Sequence, residues 1–283
     1  MIIFAIVLYD RLLSDSETAN YFENKARQKL LKDNCQIVVY DNSANRQELP
    51  LKYHSMIASY VHDHSNGGVA SAYNYCLSLS RGADDWLVLL DQDSSLPDNY
   101  IDEIMRLVDE VSDDETIAAV APHVLCNNTI ISPCRGYLGG VLCPVEIKFT
   151  GKHNSEIRAI NSGMMVRASF MNRVGGFNQL FWLDYLDHWL CRTIYGQGKK
   201  IFVSRAVINH HLSVCNYNKI SERRASNILH SELIFYKKYM PWYEQKFYVF
   251  RLLYRALKQL LTVHDKRIAL NTMRAIPQIF RKQ

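Results

Sequence analysis

Three short apolar runs near the start of the chain each stop on an aspartate. Residues 2–9 lead into Asp10, residues 36–40 into Asp41, and residues 86–90 into Asp91. Continuous rather than alternating apolar runs of this length suit strands buried on both faces. Ile57–His62 reads as a further strand. Between the runs lie helix signals. Ser14-Asp15-Ser16-Glu17 has the form of a capping box and predicts a helix running to about Lys32. Asn66-Gly67-Gly68 breaks the chain ahead of a helix over 69–80. Pro97 suits the first turn of another, with Asp98, Asp102 and Glu103 near its positive end. Residues 117–121 read as a fifth strand. Strand and helix thus alternate with short links, which predicts an α/β domain with a parallel or mostly parallel sheet. Ligands of such sheets bind beyond the carboxyl ends of the strands. Asp10, Asp41 and the Asp91/Asp93 pair all fall there.

The pattern loosens over residues 122–158, where Pro, Gly, Cys and Asn are scattered. A long stretch without clear elements often carries function. Residues 160–166 read as a strand containing Asn161-Ser162-Gly163, Gly175-Gly176-Phe177 as a turn, 184–195 as a helix and 200–203 as a short strand. From Lys219 on, the composition is helical. Phe247, Phe250, Tyr254, Leu257 and Leu261 form a stripe at helical spacing, with Arg251, Arg255 and Lys258 on an adjacent stripe. That pattern fits a helix lying on an anionic membrane surface, and equally a helix packed on the domain with its cations in water.

With 283 residues, 48% of them hydrophobic, the chain can bury one large core, or one domain plus an appendage. Its charge is uneven. Residues 1–218 hold 19 Lys/Arg and 24 Asp/Glu, whereas residues 219–283 hold 14 and 4, a net of +10 on the tail. A basic tail on an acidic body suggests an anionic partner, the plainer alternative being a solvated helical surface. Nothing in the tail matches a nucleic-acid-binding motif, so nucleic acid is not the expected partner. The seven cysteines include no Cys-x-x-Cys pair and suit a reducing compartment. The apolar N-terminus lacks a basic flank and a cleavage site, and is expected to be a buried strand rather than a signal peptide. No uninterrupted apolar run reaches transmembrane length. The expected location is cytoplasmic, with peripheral contact at the inner face of the membrane as an option.

The sharpest local feature is Leu90-Asp91-Gln92-Asp93-Ser94. Two carboxylates one residue apart, at the end of a buried strand, suit a hard divalent cation such as Mg²⁺ or Mn²⁺, whose shell substrate phosphates and water complete. A solvated turn is the plainer alternative.

Five ordered pieces carry a resemblance: the opening strand over 2–9; Val38-Val39-Tyr40-Asp41-Asn42-Ser43; Asn66-Gly67-Gly68-Val69-Ala70 with Asn74; Leu90 to Ser94; and Asn161-Ser162-Gly163 followed by Gly175-Gly176-Phe177 and the acidic segment 183–187. Over about residues 1–215 the chain resembles the family-2 glycosyltransferases, and within them the bacterial rhamnosyltransferase-type enzymes. The resemblance implies a GT-A fold, a Rossmann-like mixed sheet with helices on both faces. A domain over 1–218 would then carry a basic helical extension over 219–283.

The resemblance also implies roles. Asp41, with Asp10 as a softer candidate, would meet the donor's base or ribose, although Asp41 would also serve as a cap for the turn after its strand. Asn66, Gly67 and Gly68 would line the nucleotide site, where missing side chains permit close backbone approach. Asp91 and Asp93 would hold the metal and donor diphosphate. His210, or alternatively His211, would contact the metal or diphosphate, against a structural histidine as the alternative. Leu183-Asp184-Tyr185-Leu186-Asp187-His188 matches the acceptor-side acidic motif, with Asp187 the first candidate for the base and Asp184 the second. Helical spacing would put Asp184, Asp187 and His188 on one face. Helix-start acids favoured by the dipole are the plainer reading. Two departures stand out: the spacing from Asp187 to Arg192 is one residue short, and the first strand ends Leu8-Tyr9-Asp10 where Thr-Tyr-Asn is commoner.

The implied activity is an inverting, metal-dependent transfer of a sugar from a nucleotide-diphosphate donor to a glycan or lipid-linked glycan of a bacterial surface polysaccharide. dTDP-rhamnose is the first expectation for the donor, ahead of UDP-hexose and galactofuranose donors. A nucleotidylyltransferase would carry a Gly-rich loop after its first strand, and Asp10-Arg11-Leu12-Leu13 has no glycine. A non-catalytic scaffold that binds a nucleotide sugar is the remaining rival, opposed by the intact acids.

Overall fold

The structure, a computed structural model, describes residues 1–31, 33–210 and 217–280. In chain order the elements are β1 (Ile2–Leu8), α1 (Glu17–Arg27), β2 (Cys35–Asp41), β3 (Ile57–His62), α2 (Gly68–Ser78), β4 (Trp86–Asp91), β5 (Ser94–Ser95), α3 (Tyr100–Val111) and β6 (Ile117–Cys126). There follow β7 (Thr129–Ser132), β8 (Cys134–Tyr137), β9 (Val141–Pro144), β10 (Gly151–Lys152), β11 (Ile157–Arg158), β12 (Met165–Arg167), α4 (Ala168–Arg173), α5 (Leu186–Gly196) and β13 (Lys200–His210). Three helices close the chain: α6 (Glu222–Tyr239), α7 (Trp242–Thr262) and α8 (Lys266–Ala275).

The main sheet runs β10-β13-β6-β12-β4-β1-β2-β3. β1 is parallel to both β2 and β4, and β2 to β3, as the alternation of strands and helices requires. β12 enters antiparallel between β4 and β6, so the sheet is mixed. β1 is buried at every position because both faces are covered. Ile3, Ala5 and Val7 pack into a core with residues of α2, α5, α6 and α7. Ile2, Phe4, Ile6 and Leu8 pack with Phe22 of α1 and Ile104 of α3. That two-sided burial is why the run is continuous and not alternating.

Several boundaries differ from expectation. The cap of α1 is Ser16, whose hydroxyl accepts from Ala19 N, and Ser14 and Asp15 belong to a preceding 3-10 turn. α1 ends at Arg27 because Lys29 turns left-handed (φ 57°) and the amides of Lys29 and Leu30 close back on the Ala26 and Lys25 carbonyls. Lys32, the expected end, lies outside the described residues. Pro97 precedes α3 by a turn rather than opening it. Residues 122–158 are more ordered than their composition suggests. β6 extends to Cys126, β7 pairs with it, and β8, β9 and β11 form a separate three-stranded sheet. Asn161-Ser162-Gly163 is a turn and not strand, with Gly163 left-handed (φ 76°) and its amide on the Leu89 carbonyl at 2.7 Å.

The tail packs on the body. Leu229 and Leu233 of α6 and Tyr248 and Leu252 of α7 share one apolar core with the sheet. Of the two readings of the α7 stripe, the one that packs it on the domain with its cations in water does not hold. Tyr248, Leu252, Ala256 and Gln259 face inward, while Phe250, Tyr254, Leu257 and Leu261 are 58–78% exposed. Arg251 and Arg255 do not lie in water beside them. Both reach Glu232, which is buried, at 2.5–2.7 Å. A buried carboxylate takes charged partners in preference to remaining alone.

Candidate active site

The carboxyl ends of β1 and β4 open on a cleft of about 750 Å³, bordered by Tyr9, Asn42, Asn66, Gly68, Asp91, Asp93, Trp182 and His210. Its far wall is α6, through Arg223, Arg224 and Asn227. Clefts of a few hundred cubic ångströms are the size that small ligands occupy.

Asp91 ends β4, and Ser162 of the 161–163 turn donates to its carboxylate. The turn thus sets a hydroxyl on this acid. Burial pushes the Asp91 carboxyl up, with Asp93 and Asp187 adding to the rise against His210 and Ser162. A bound cation would reverse that balance. Asp93 lies in the turn between β4 and β5. β5 pairs antiparallel with the end of β13, matching Ser94 with His210. That small ladder carries His210 to the acids: its Nδ1 is 3.6 Å from Asp93 and its Nε2 3.9 Å from Asp91. His210 is buried, and its Nδ1 has no hydrogen-bond partner. Such an orphan calls for an account.

Among the described residues no group of three or more His, Cys, Asp or Glu forms a ready cage for a metal. Two carboxylates and an unpartnered imidazole nevertheless fit a hard divalent cation, which normally keeps water and substrate phosphate in its shell. His211, the alternative ligand, lies outside the described residues.

The other expected residues divide. Asn66 and Gly68 border the cleft, and Gly68 (φ 78°) is pressed against the Trp182 carbonyl: a Cβ there would stand 2.2 Å from that oxygen. Trp182 in turn donates from its indole to the Asn66 carbonyl at 2.7 Å. Gly67 is turned away, its amide on the Asp63 carboxylate at 2.9 Å. Asp41 does not reach the cleft. It is fully buried, accepting from Ser43 N, Gln47 Nε2 and Tyr60 OH at 2.8–3.0 Å. Burial pushes its carboxyl up, but those hydrogen bonds outweigh it and hold the acid below the usual range. Asp41 thus caps the turn that presents Asn42. Asp10 (φ 46°) is exposed, its amide on the Ser43 hydroxyl, and it stands outside the cleft lining.

Asp184, Asp187 and His188 do not share a helical face. Asp184 precedes α5, and Tyr185 turns left-handed (φ 67°) between it and the helix. Both oxygens of Asp184 are held by the Arg224 guanidinium. Burial pushes the Asp184 carboxyl up against the pull of that guanidinium. Asp187 sits in the first turn of α5, its Oδ1 taken by the His188 amide at 2.7 Å. It is not among the residues that border the cleft, although its charge adds to the rise of the Asp91 carboxyl. His188 points elsewhere, stacked on Tyr185 in a second cavity of about 250 Å³ between the β8–β9 hairpin and α6.

Four contributors escaped the sequence reading. Asp63, the residue after β3, organises the Asn66–Gly67 turn through Ser65 N and Gly67 N. It repeats the strand-then-aspartate signal and was legible. Trp182 carried no signal. Arg223 and Arg224 lay in the basic tail, where charge alone gave no hint that they border the cleft.

The solved structure of a mannosyltransferase from Pyrobaculum calidifontis, in complex with GDP-mannose and Mn²⁺, is similar in fold, with a TM-score of 0.51 at 15% identity over 98% of this chain and 86% of that one. Glucosyl-3-phosphoglycerate synthase from Mycobacterium tuberculosis (TM-score 0.48, 10% identity, 82% of this chain and 78% of that one) and mannosyl-3-phosphoglycerate synthase from Rubrobacter xylanophilus (0.44, 10%, 94% and 76%) align more loosely. No curated protein matches by sequence. The sequence profile of glycosyl transferase family 2 matches residues 6–181, a span that runs from β1 through the Asp91–Asp93 turn to the residue before Trp182. That match covers more than half of the chain and coincides with the sheet that builds the cleft, so the protein belongs to glycosyl transferase family 2 and is a glycosyltransferase.

Proposed function

We propose that this glycosyltransferase is inverting, and that it moves a sugar from a nucleotide-diphosphate donor to a hydroxyl of a glycan or lipid-linked glycan of a bacterial surface polysaccharide. The observation that carries the reading is the convergence of Asp91, Asp93 and the unpartnered His210 on one cleft at the carboxyl ends of β1 and β4. A displacement needs a base on one side of the anomeric carbon and a stabilised leaving group on the other.

In this reading the nucleotide lies against Tyr9, Asn42 and the Asn66–Gly68 turn. Asp41 acts indirectly, by fixing Asn42. Asp91, Asp93 and His210 would hold a Mg²⁺ or Mn²⁺ ion, which would supply positive charge for the donor diphosphate. Arg223 faces the same space and adds a cation to it. Asp187 takes the proton of the attacking hydroxyl. Asp184 serves Arg224 and so holds α6 against the cleft. dTDP-rhamnose remains the first donor to test, ahead of UDP-hexose and galactofuranose donors. GDP-mannose joins the panel because the similar mannosyltransferase was solved with it. We place the enzyme in the cytoplasm, the domain over 1–218 doing the chemistry and the extension over 219–283 meeting the inner face of a membrane. No described helix is long and apolar enough to cross one.

The test is calorimetric titration of dTDP, UDP and GDP and their sugars, with Mn²⁺ and then with EDTA. Metal-dependent binding of one nucleotide, lost in Asp93→Ala, is the expected result. Asp187→Asn should then abolish transfer while sparing donor binding. Retained transfer removes Asp187 from the role of base, and the absence of any nucleotide binding moves the protein to a scaffold.

A further inference from the structure

α7 is 21 residues long, about 30 Å, and its outward face is almost wholly apolar. Phe247, Phe250, Leu253, Tyr254, Leu257 and Leu261 are 44–78% exposed. The remaining exposed positions of the helix are Trp242, Tyr243, Lys246, Lys258 and Thr262, with no carboxylate among them. Ordinary surface helices turn their apolar stripe inward and their charges outward. Here Arg251 and Arg255 are drawn in by Glu232, and the apolar stripe is left outside.

The face does not end with the helix. The β8–β9 hairpin, more than a hundred residues earlier in the chain, docks on α7 at its tip. Arg251 donates to the Gly140 carbonyl at 2.5 Å. Gly140 (φ 73°) fits so closely that a Cβ would stand 1.7 Å from the Tyr236 hydroxyl. Around that anchor the hairpin exposes Tyr137, Leu138, Val141 and Leu142 by 39–56%. Two elements remote in sequence therefore present bulky apolar side chains side by side. Contiguous exposed apolar surface of this kind marks an interaction site.

We propose that α7 and the tip of the β8–β9 hairpin together form a docking face for an anionic lipid bilayer, into which the apolar side chains of both elements insert. The proposal deepens the membrane contact proposed above and rests on that reading. It adds the second element and fixes which side of α7 is used. Charge selects the occupant. Residues 219–283 carry a net +10, which complements anionic headgroups, and Lys246 and Lys258 lie on and beside the apolar face. The same charge opposes a second copy of the chain, because a two-fold contact through α7 would set one +10 segment against another. Amphipathic helices of this kind lie in the plane of the interface without crossing it.

Flotation of the full chain with vesicles of phosphatidylcholine, alone or mixed with phosphatidylglycerol, tests this directly. Binding to the anionic vesicles, weakened by salt, is expected. Phe250→Glu/Leu257→Glu and Leu138→Glu/Leu142→Glu should each lower it by about tenfold or more. Because all four positions are exposed, both variants should keep the circular dichroism and thermal midpoint of the parent. Failure of the parent to float with anionic vesicles at low salt overturns the proposal. So does undiminished flotation of the α7 variant. Loss in the α7 variant alone, with the hairpin variant unchanged, overturns the two-part face. Light scattering that shows a dimer dissolved by the α7 variant, with no lipid binding by the parent, assigns the face to self-association instead. Nucleotide titration of the same samples reports separately on the transferase reading, so the two can fail independently.

Discussion

The bidentate pair between Asp184 and Arg224 offers a way to separate the two candidate acids, because it predicts that one is committed to structure. The side chains are 15% and 28% exposed. A pair in open water contributes ~0.2–1 kcal/mol, whereas removing one partner of a fully buried pair costs ~3–5 kcal/mol. This pair lies nearer the second limit. Arg224→Met, which keeps the bulk and removes the charge, should cost about 2–3 kcal/mol, since it leaves the Asp184 carboxylate enclosed without a cation. For a chain of this size that lowers the thermal midpoint by roughly 4–12 °C. Asp184→Asn should cost a similar amount. The double variant should be less destabilised than the sum, with a coupling of about 1–3 kcal/mol. Equilibrium urea unfolding of the four proteins, followed by tryptophan fluorescence, measures the cycle. Transfer is assayed in parallel, below the onset of unfolding. Asp187→Asn should lose ~10²–10⁴-fold in kcat, and Asp184→Asn less than about tenfold, since its carboxylate is not the proton acceptor. A coupling under ~0.5 kcal/mol, together with equal losses of activity at the two positions, would refute the reasoning and make Asp184 the base.

Two further outcomes follow from the same structure. Burial pushes the Glu232 carboxyl up, but Arg255 and Arg251 overcome it and hold the acid below its ordinary 4.5. A carboxyl depressed in the folded state stabilises above its unfolded pKa, and that stability is lost as pH falls from there through the folded value. Glu232→Gln should therefore cost about 3–5 kcal/mol at neutral pH and flatten the acid limb of stability against pH, read from urea midpoints across that range. An unchanged limb refutes the assignment. Gly68→Ala combines a left-handed backbone, which costs a side chain ~1–2 kcal/mol, with a clash on the Trp182 carbonyl. Displacing Trp182 from Asn66 should weaken Mn²⁺-dependent nucleotide binding by at least about tenfold, or ~1.4 kcal/mol, and calorimetry with unaltered affinity would show that this contact does not shape the site.

Much of the frame was legible because it depends on local and periodic properties. The runs around Ile3, Val38, Val88 and Val120 read as strands, since strands buried on both faces need apolar residues at every position. The break at Asn66-Gly67-Gly68 was legible because a left-handed turn favours such residues. Asp91 and Asp93 could be singled out because a strand end is where chemistry collects in such sheets. The strands hidden in residues 122–158 were not legible. They are two to four residues long, and their existence depends on partners such as β6 and β8 and not on their own pattern.

What the sequence determined alone is therefore the class of the sheet, the order of its first strands and the strand ends where acids gather. Strand burial and turn geometry leave marks in neighbouring residues. What only the tertiary structure decided is direction and partnership. Asp41 and Asp91 carry the same local signal, yet Tyr60 and Gln47 enclose the first while Ser162 and His210 draw the second into the cleft. The stripe on α7 has the same period whichever way it faces, and it faces outward because Glu232, one helix away, draws the arginines in. Periodicity records that a helix has two faces, and the packing of distant residues selects which of them is buried.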